Sequence, residues 1–302
     1  MITVIGESNI DICVSPRRDT SNVSATSNQG CTPSHIAFHH GGVARNIAHN
    51  LCLLGHEVRL MTVFGGDDFA TNLIADCKKI GMDLSLSTQF ENAKSPIFLS
   101  INDKIGEMRS AFSDTEINNR MDLDWVKGKI GEINRSDMVV ANTLLTAEAL
   151  SYLIDFCEVP LYIDAVSPKR ARHLVEALKT SKKQEFFALK CNLSEATAIT
   201  NKSIPFEAAK ALNNMGIKEV YLTLGEKGVV FSSADETEHF PALPSQVVNV
   251  IGSGDAFLAG VIHANTMERF GKDAVSMGLL MAKANCEVEG TVNEEFLLFL
   301  RP

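Results

Sequence analysis

The chain has 302 residues, 45% apolar and 22% charged, the balance of a folded soluble protein and not of a disordered or collagen-like one. Its 28 basic and 37 acidic side chains leave a net charge of −9, which argues against sequence-blind binding to a nucleic acid polymer or an anionic membrane. No apolar run is long enough to span a bilayer, and the start Met1–Gly6 lacks a basic segment and a long apolar one, so a signal peptide is not expected. Cys13, Cys31, Cys52, Cys77, Cys157, Cys191 and Cys286 are scattered with no C-x-x-C pair, which predicts reduced thiols in a cytoplasmic protein. His35, His39 and His40 have no Cys or carboxylate close by to complete a metal site and read as part of a polar loop.

In chain order, a strand is predicted at Thr3–Ile5 and is followed by a polar, Ser/Thr-rich stretch, Asp11–His40, that carries Arg17 and Arg18. A helix at Val43–Leu54, a strand at Glu57–Phe64 and a helix at Asp68–Ile80 come next, with Asp68 expected to cap the last. Ser95–Phe112 reads as two short strands, Ile97–Ile101 and Glu107–Phe112, around a turn at Asn102–Gly106. Helices at Leu123–Ile130, Thr146–Phe156, Pro168–Leu178 and Phe206–Met215 then alternate with strands at Met138–Ala141, Leu161–Asp164, Phe187–Lys190 and Glu219–Leu224. Such alternation predicts an α/β fold, a mostly parallel sheet with helices on both faces. The two stretches that break it, 11–40 and 95–112, read as either ordinary surface loops or a small β-flap; long non-helical excursions beside a ligand site often serve as lids.

The strongest motif is Asn249-Val-Ile-Gly-Ser-Gly-Asp-Ala-Phe-Leu-Ala-Gly260, a small-residue turn running into an apolar helix. Gly252, Ser253 and Gly254 let a ligand approach the backbone, and a helix start offers unpaired N–H groups and the positive end of a dipole. Together they form an anion hole suited to a transferring phosphoryl group. Asp255 at its mouth is placed to accept a proton from an attacking hydroxyl. A plain helix cap is the commoner use of Asp at such a place, but a cap needs neither flanking glycine.

Three other segments offer weaker signals. Gly41-Gly-Val-Ala-Arg-Asn46 opens a helix whose first turn carries Asn46, able to donate to and accept from sugar hydroxyls. Thr223-x-Gly225-x-x-Gly228 lies between two apolar runs as a hairpin; it is neither a dinucleotide fingerprint nor a P-loop. Asn192 and Glu195, three apart at a helix start, either position a hydrated Mg²⁺ or act in capping. Asn9 and Asp11, taken as the end of the first strand, share a face and suit the hydroxyls of a sugar.

Gly41–Ala48, with Gly55 and Gly65 at the expected distances, and Asn249–Ile262 match two long signatures in order, and on them the chain resembles the ribokinase-like (PfkB-type) carbohydrate and nucleoside kinases over essentially its full length. The resemblance implies a single three-layer α/β/α domain, Rossmann-like, over residues 1–302 with a small β-sheet lid from the segments at about 11–40 and 95–112. It implies ATP-dependent phosphorylation of a primary hydroxyl, with Asp255 as base and Gly252, Ser253 and Gly254 as anion hole. Asn192 and Glu195 would serve the phosphate and Mg²⁺ network, Glu195 through water. Thr223, Gly225 and Gly228 would border the ATP, with Asn285 near the adenine, and Asn9, Asp11, Gly41, Gly42 and Asn46 would hold the sugar.

Arg45 after Ala44, the run Asp164-Ala-Val-Ser-Pro168 and Leu189-Lys-Cys-Asn192 look most like the pseudouridine kinases, although Pro is expected there in place of Cys191. The implied substrate is pseudouridine; ribose, a ketose or a purine nucleoside, and a catalytically silent sugar- or nucleotide-binding role, are the alternatives. A monovalent-cation requirement stays open, as does a homodimer paired through the lid, whose exposed edges need protection.

Overall fold

The computed structural model describes residues 1–16, 33–103 and 108–295; Arg17, Arg18, Cys31 and part of the turn expected at 102–106 lie outside the described residues. The chain runs β1 (Ile2–Ile5), β2 (Asn9–Pro16), β3 (Ser34–Gly41), α1 (Val43–Leu53), β4 (Val58–Met61), β5 (Val63–Phe64) and α2 (Asp68–Ile80). There follow β6 (Thr88–Gln89), β7 (Ile97–Asn102), β8 (Met108–Asp114), α3 (Leu123–Lys127), α4 (Ile130–Ile133), β9 (Met138–Asn142), α5 (Ala147–Phe156), β10 (Leu161–Asp164) and α6 (Pro168–Thr180). The C-terminal part holds β11 (Phe186–Asn192), α7 (Leu193–Thr200), α8 (Pro205–Asn213), β12 (Ile217–Thr223), β13 (Val229–Ser232), β14 (Thr237–Phe240), α9 (Ser253–Thr266) and α10 (Lys272–Cys286).

The main sheet has the order β14-β13-β12-β11-β10-β9-β1-β4, parallel except for β13 and β14. Period-two alternation sends side chains to both faces. Val139, Ala141, Leu189 and Cys191 join one core under α3 and α5–α8, while Val140 and Ala188 join another under α1, α2, α9 and α10. Because both faces are covered, the strands read as nearly continuous apolar runs. The chain goes from β1 to β4 on one side and later resumes at β9 on the other, which makes the carboxyl ends of these strands a topological switch point, where open α/β sheets bind ligands.

A second sheet, β3-β2-β7-β8, is built from the two stretches that broke the alternation. The histidine segment is therefore strand β3 and not a loop, because it pairs antiparallel with β2 along its whole length. His40 meets Asp76 at 3.0 Å, and among the described residues no group of three ligands forms a metal site. Asn9 and Asp11 open this second sheet and do not end β1, since Gly6 to Ser8 separate the two strands.

Other boundaries shift for local reasons. Asp67, not Asp68, caps α2: it accepts from the Ala70 N–H at 2.9 Å and also receives the Ser95 hydroxyl and N–H. The strand expected at 57–64 is divided at Thr62, whose N–H donates to the Ser87 hydroxyl. The helix expected at 123–130 breaks at Gly128 into α3 and α4, as a glycine within a helical run favours. None of the described cysteines is in a disulfide. Among the described residues no helix is long and apolar enough to cross a membrane.

Candidate active site

The carboxyl ends of the central strands gather the polar side chains. Glu7, just past β1, accepts from the N–H of Val43 at the start of α1 at 2.9 Å and from the Asn142 amide at the end of β9 at 2.5 Å. It is buried, and desolvation pushes its carboxyl above the usual range against these bonds. Next along the sheet, Asp164 at the end of β10 accepts from Lys190 of β11, Nζ to Oδ2 3.0 Å, and from the Val166 N–H at 2.8 Å. Burial disfavours the Lys190 ammonium, but Asp164, Glu195 and Asp255 together outweigh it and hold the lysine charged.

Above this row lies the start of α9. Gly252 is the residue before the helix, in the left-handed region at φ 81, and no side chain caps it. Asp255 is thus the third residue of α9 and not its cap. It is buried, and its Oδ2 accepts from the Asn46 amide of α1 at 2.9 Å. Burial pushes its carboxyl up to about 7, with Lys190 opposing and Asp164 adding. The N–H groups of a helix's first turn have no intrahelical acceptor, so those beside Gly254 and Asp255 are left for a ligand.

On the side of the second sheet, the Asn9 amide donates to Asp11. A Cβ on Gly41 would lie 2.0 Å from the Asp11 carboxylate, and one on Gly42 would lie 2.6 Å from the Glu7 carbonyl. The glycine pair therefore makes room for the protein's own polar side chains as much as for a ligand. Burial and Glu7 raise the Asp11 carboxyl to about 7, against Arg45 and Asn9. Arg45 itself bonds the His40 carbonyl and Asp76, tying β3 to α1 and α2.

On the other side of the α9 start opens a cavity of about 500 Å³, lined by Thr223, Gly225 and Gly228 of the β12–β13 turn, by Ser253, Gly254 and Phe257, and by Ala282, Lys283 and Cys286 of α10. Leu243, Val247 and Val250, from the segment before α9, complete an apolar wall. Asn285 does not line it. The helix turns Asn285 inward, where it is buried and donates to the Ile251 carbonyl at 2.9 Å, fixing the loop that leads into α9. Asn192 and Glu195 form a full capping box at α7, with both Glu195 oxygens bonded to Asn192. Its position beside Lys190 and Asp164 is nevertheless in the row, and burial raises its carboxyl.

The structure therefore brings together Asp255, Asn46, Gly252, Ser253 and Gly254, places Asn9, Asp11, Gly41 and Gly42 on one flank, and sets Thr223, Gly225 and Gly228 on the other. Glu7, Asn142 and the lining at 243–250 were not singled out as site residues from the sequence. Glu7 had one available signal, the polar run Gly6-Glu-Ser-Asn9 directly after a buried strand.

The chain matches the model of the pfkB family of carbohydrate kinases over residues 1–295. It is 29% identical over 269 residues to a pseudouridine kinase of Escherichia coli, covering 86% of this chain and 82% of that one. It is 25% identical to a guanosine-inosine kinase of Exiguobacterium acetylicum, covering 82% and 83%. In fold it superposes on a ribokinase of Thermotoga maritima with a TM-score of 0.82 at 20% identity, over 99% of each chain. The chain belongs to the pfkB family of carbohydrate kinases, ATP-dependent enzymes that phosphorylate a hydroxyl group.

Proposed function

We propose that the chain transfers the γ-phosphoryl group of ATP to the 5′-hydroxyl of a ribosyl substrate, with pseudouridine the first candidate. The observation that carries this reading is the Asp255 carboxylate at the first turn of α9, held by Asn46 beside a cavity on one flank and the polar cluster of Asn9 and Asp11 on the other. Similarity to a pseudouridine kinase and to a guanosine-inosine kinase supports a nucleoside acceptor.

In this reading ATP lies in the cavity, its phosphates toward Ser253 and Gly254. Asn9, Asp11 and Asn46 bind the sugar hydroxyls. Asp255 orients the 5′-hydroxyl and takes its proton late, as a loose transition state requires, while the helix start offsets the charge growing on the phosphoryl oxygens. Mg²⁺ would neutralise phosphate charge; the hard oxygen donors suit it, with Glu195 holding it through water. The buried carboxylates Asp164, Glu195 and Asp255 face Lys190 as their near cation, an excess of negative charge that a bound Mg²⁺ would offset.

The test is ADP release from Mg·ATP across pseudouridine, uridine, guanosine, ribose and fructose. Turnover confined to pseudouridine is expected. Turnover on guanosine or ribose would keep the mechanism and discard the substrate, and ATP binding without turnover on any of them would favour a silent binding protein.

The small sheet also fits a lid that pairs two chains. Phe38, Ile12, Leu99 and Phe112 form one cross-strand row and Ile36, Val14 and Ile101 the next, so one face is apolar, with Phe38 and Phe112 each 61% exposed. A dimer is expected in sedimentation experiments, and Phe38→Asp with Phe112→Asp should convert it to monomer. A monomeric wild type at micromolar concentration would refute the pairing.

A further inference from the structure

The row at the strand ends contains a cation that the phosphoryl-transfer scheme above leaves without a task. Lys190 interrupts the apolar run Phe186-Phe-Ala-Leu-Lys-Cys191 of β11, and parallel central strands do not ordinarily bury a charge. By alternation it points with Ala188 to the face covered by α9. Its register partner on β10 is Asp164, whose carboxylate is wholly buried and takes the ammonium at 3.0 Å. On its other side is the opening of α9: a Cβ added to Gly254 would lie 2.7 Å from Nζ and 3.1 Å from Cε. The ammonium thus rests against the backbone of the anion hole, one residue before Asp255. A side chain at 254 would displace the lysine end from this seat, a reason for glycine separate from access for a ligand.

We propose that Lys190 is the positioning residue of the transfer site: its ammonium, seated between the Asp164 carboxylate and the Gly254 backbone, supplies the positive charge that the Asp255 carboxylate needs to act as base and fixes the peptide that opens α9. The inference rests on the kinase reading above. The groups facing Asp255 are Lys190 from β11, Asp164 from β10, Asn46 from α1 and Glu7 after β1. Lys190 favours the ionised carboxylate, as does the Asn46 amide, whereas Asp164 and Glu7 oppose it. Removing the cation and removing its carboxylate partner should therefore shift Asp255 in opposite directions. A buried ion pair that merely stabilises the fold would be damaged alike by either change.

The test follows the carboxyl carbon NMR signal of Asp255, assigned by its disappearance in Asp255→Asn, through a pH titration of wild type, Lys190→Met and Asp164→Asn, with ADP release measured in parallel. The wild-type signal should titrate near 7. In Lys190→Met the midpoint should rise by about one pH unit or more, so that turnover at neutral pH falls about fivefold or more and recovers in alkaline buffer. In Asp164→Asn the midpoint should fall. An unmoved midpoint in both, with turnover lowered equally at every pH, would overturn the proposal. Should Lys190→Met not fold, Lys190→Gln carries the same test, because its amide can still donate to Asp164 while the positive charge is gone, and an unmoved Asp255 midpoint in it would overturn the proposal. Absence of turnover in wild type would count against the kinase reading, while the NMR midpoints would still judge Lys190.

Discussion

Replacing Asp255 by Asn is expected to lower kcat about 10²- to 10⁴-fold, the range for loss of a positioned general base, while the folded protein becomes more stable at alkaline pH. The two effects share a cause. The carboxyl is buried with Asp164 and Glu7 near it, and its folded-state value of about 7 lies above the ordinary 3.8. A raised carboxyl favours the folded state only while protonated: its contribution is full below the unfolded value and is lost as pH rises through about 7. A rise of this size corresponds to at most about 4 kcal/mol. Asn carries no charge at any pH and can still accept from the Asn46 amide, so its melting temperature should exceed that of wild type above neutrality and match it in acid. Lys190 retains Asp164 in the variant. Paired melting curves at acidic and alkaline pH, with kcat from ADP release, check both halves. Activity within tenfold of wild type would remove Asp255 from the role of base.

Gly252→Ala should damage both stability and turnover. At φ 81 the residue adopts a conformation that disfavours any Cβ, and the added carbon would lie 2.1 Å from the Thr291 carbonyl. Backbone, not a flexible side chain, must therefore move. The segment it would push is anchored: the Asn249 amide donates to the Glu289 carbonyl at 2.9 Å, and Asn293 to the Ala284 carbonyl at 2.7 Å. The left-handed strain alone costs on the order of 1–3 kcal/mol. A displacement of the α9 start by about 1 Å lowers kcat/KM about 10²-fold, because the N–H groups no longer meet the transferring phosphoryl. Gly225→Ala is the control. It lines the cavity beside the α9 start at φ 61, but a Cβ there meets nothing within 4 Å, so only the conformational strain should appear. Equal losses in the two variants, or a Gly252→Ala enzyme with wild-type kcat/KM, would show that the close contact with Thr291 does not matter.

Much of the architecture was legible in the residues because it depends on neighbours in sequence. Apolar runs of strand length alternating with helical periodicity identify a parallel sheet with two covered faces, and the polar stretches that interrupt them became the second sheet. Gly252-Ser-Gly-Asp255 is legible for the same reason: a turn that only glycine accepts, followed at once by an apolar helix, is a local statement about backbone and dipole. The hairpin at Gly225–Gly228 is another. Boundaries were less secure where two local signals compete, as at Asp67 and Asp68, which differ only in which carboxylate reaches Ala70 once the Ser95 segment packs alongside.

What the sequence by itself determined is most helices and parallel strands of the main sheet, the family signatures and the chemistry of the α9 start. Only the tertiary structure decided which side chains meet there. Asn46 and Asp255 are 209 positions apart and Glu7 and Asn142 are 135 apart, and nothing in local propensity encodes such pairs. Asn285 shows the converse: its place on a long helix was evident, yet the face it presents depends on α10 packing against α9 and the Ile251 carbonyl. Lys190 ends the strand expected at Phe187–Lys190, but its meaning required β10 beside β11 and Gly254 above them. Helix and strand formation follow from short-range sterics and hydrogen bonding, whereas the pairing of buried charges depends on which elements the common core brings together, and that is set by the whole chain at once.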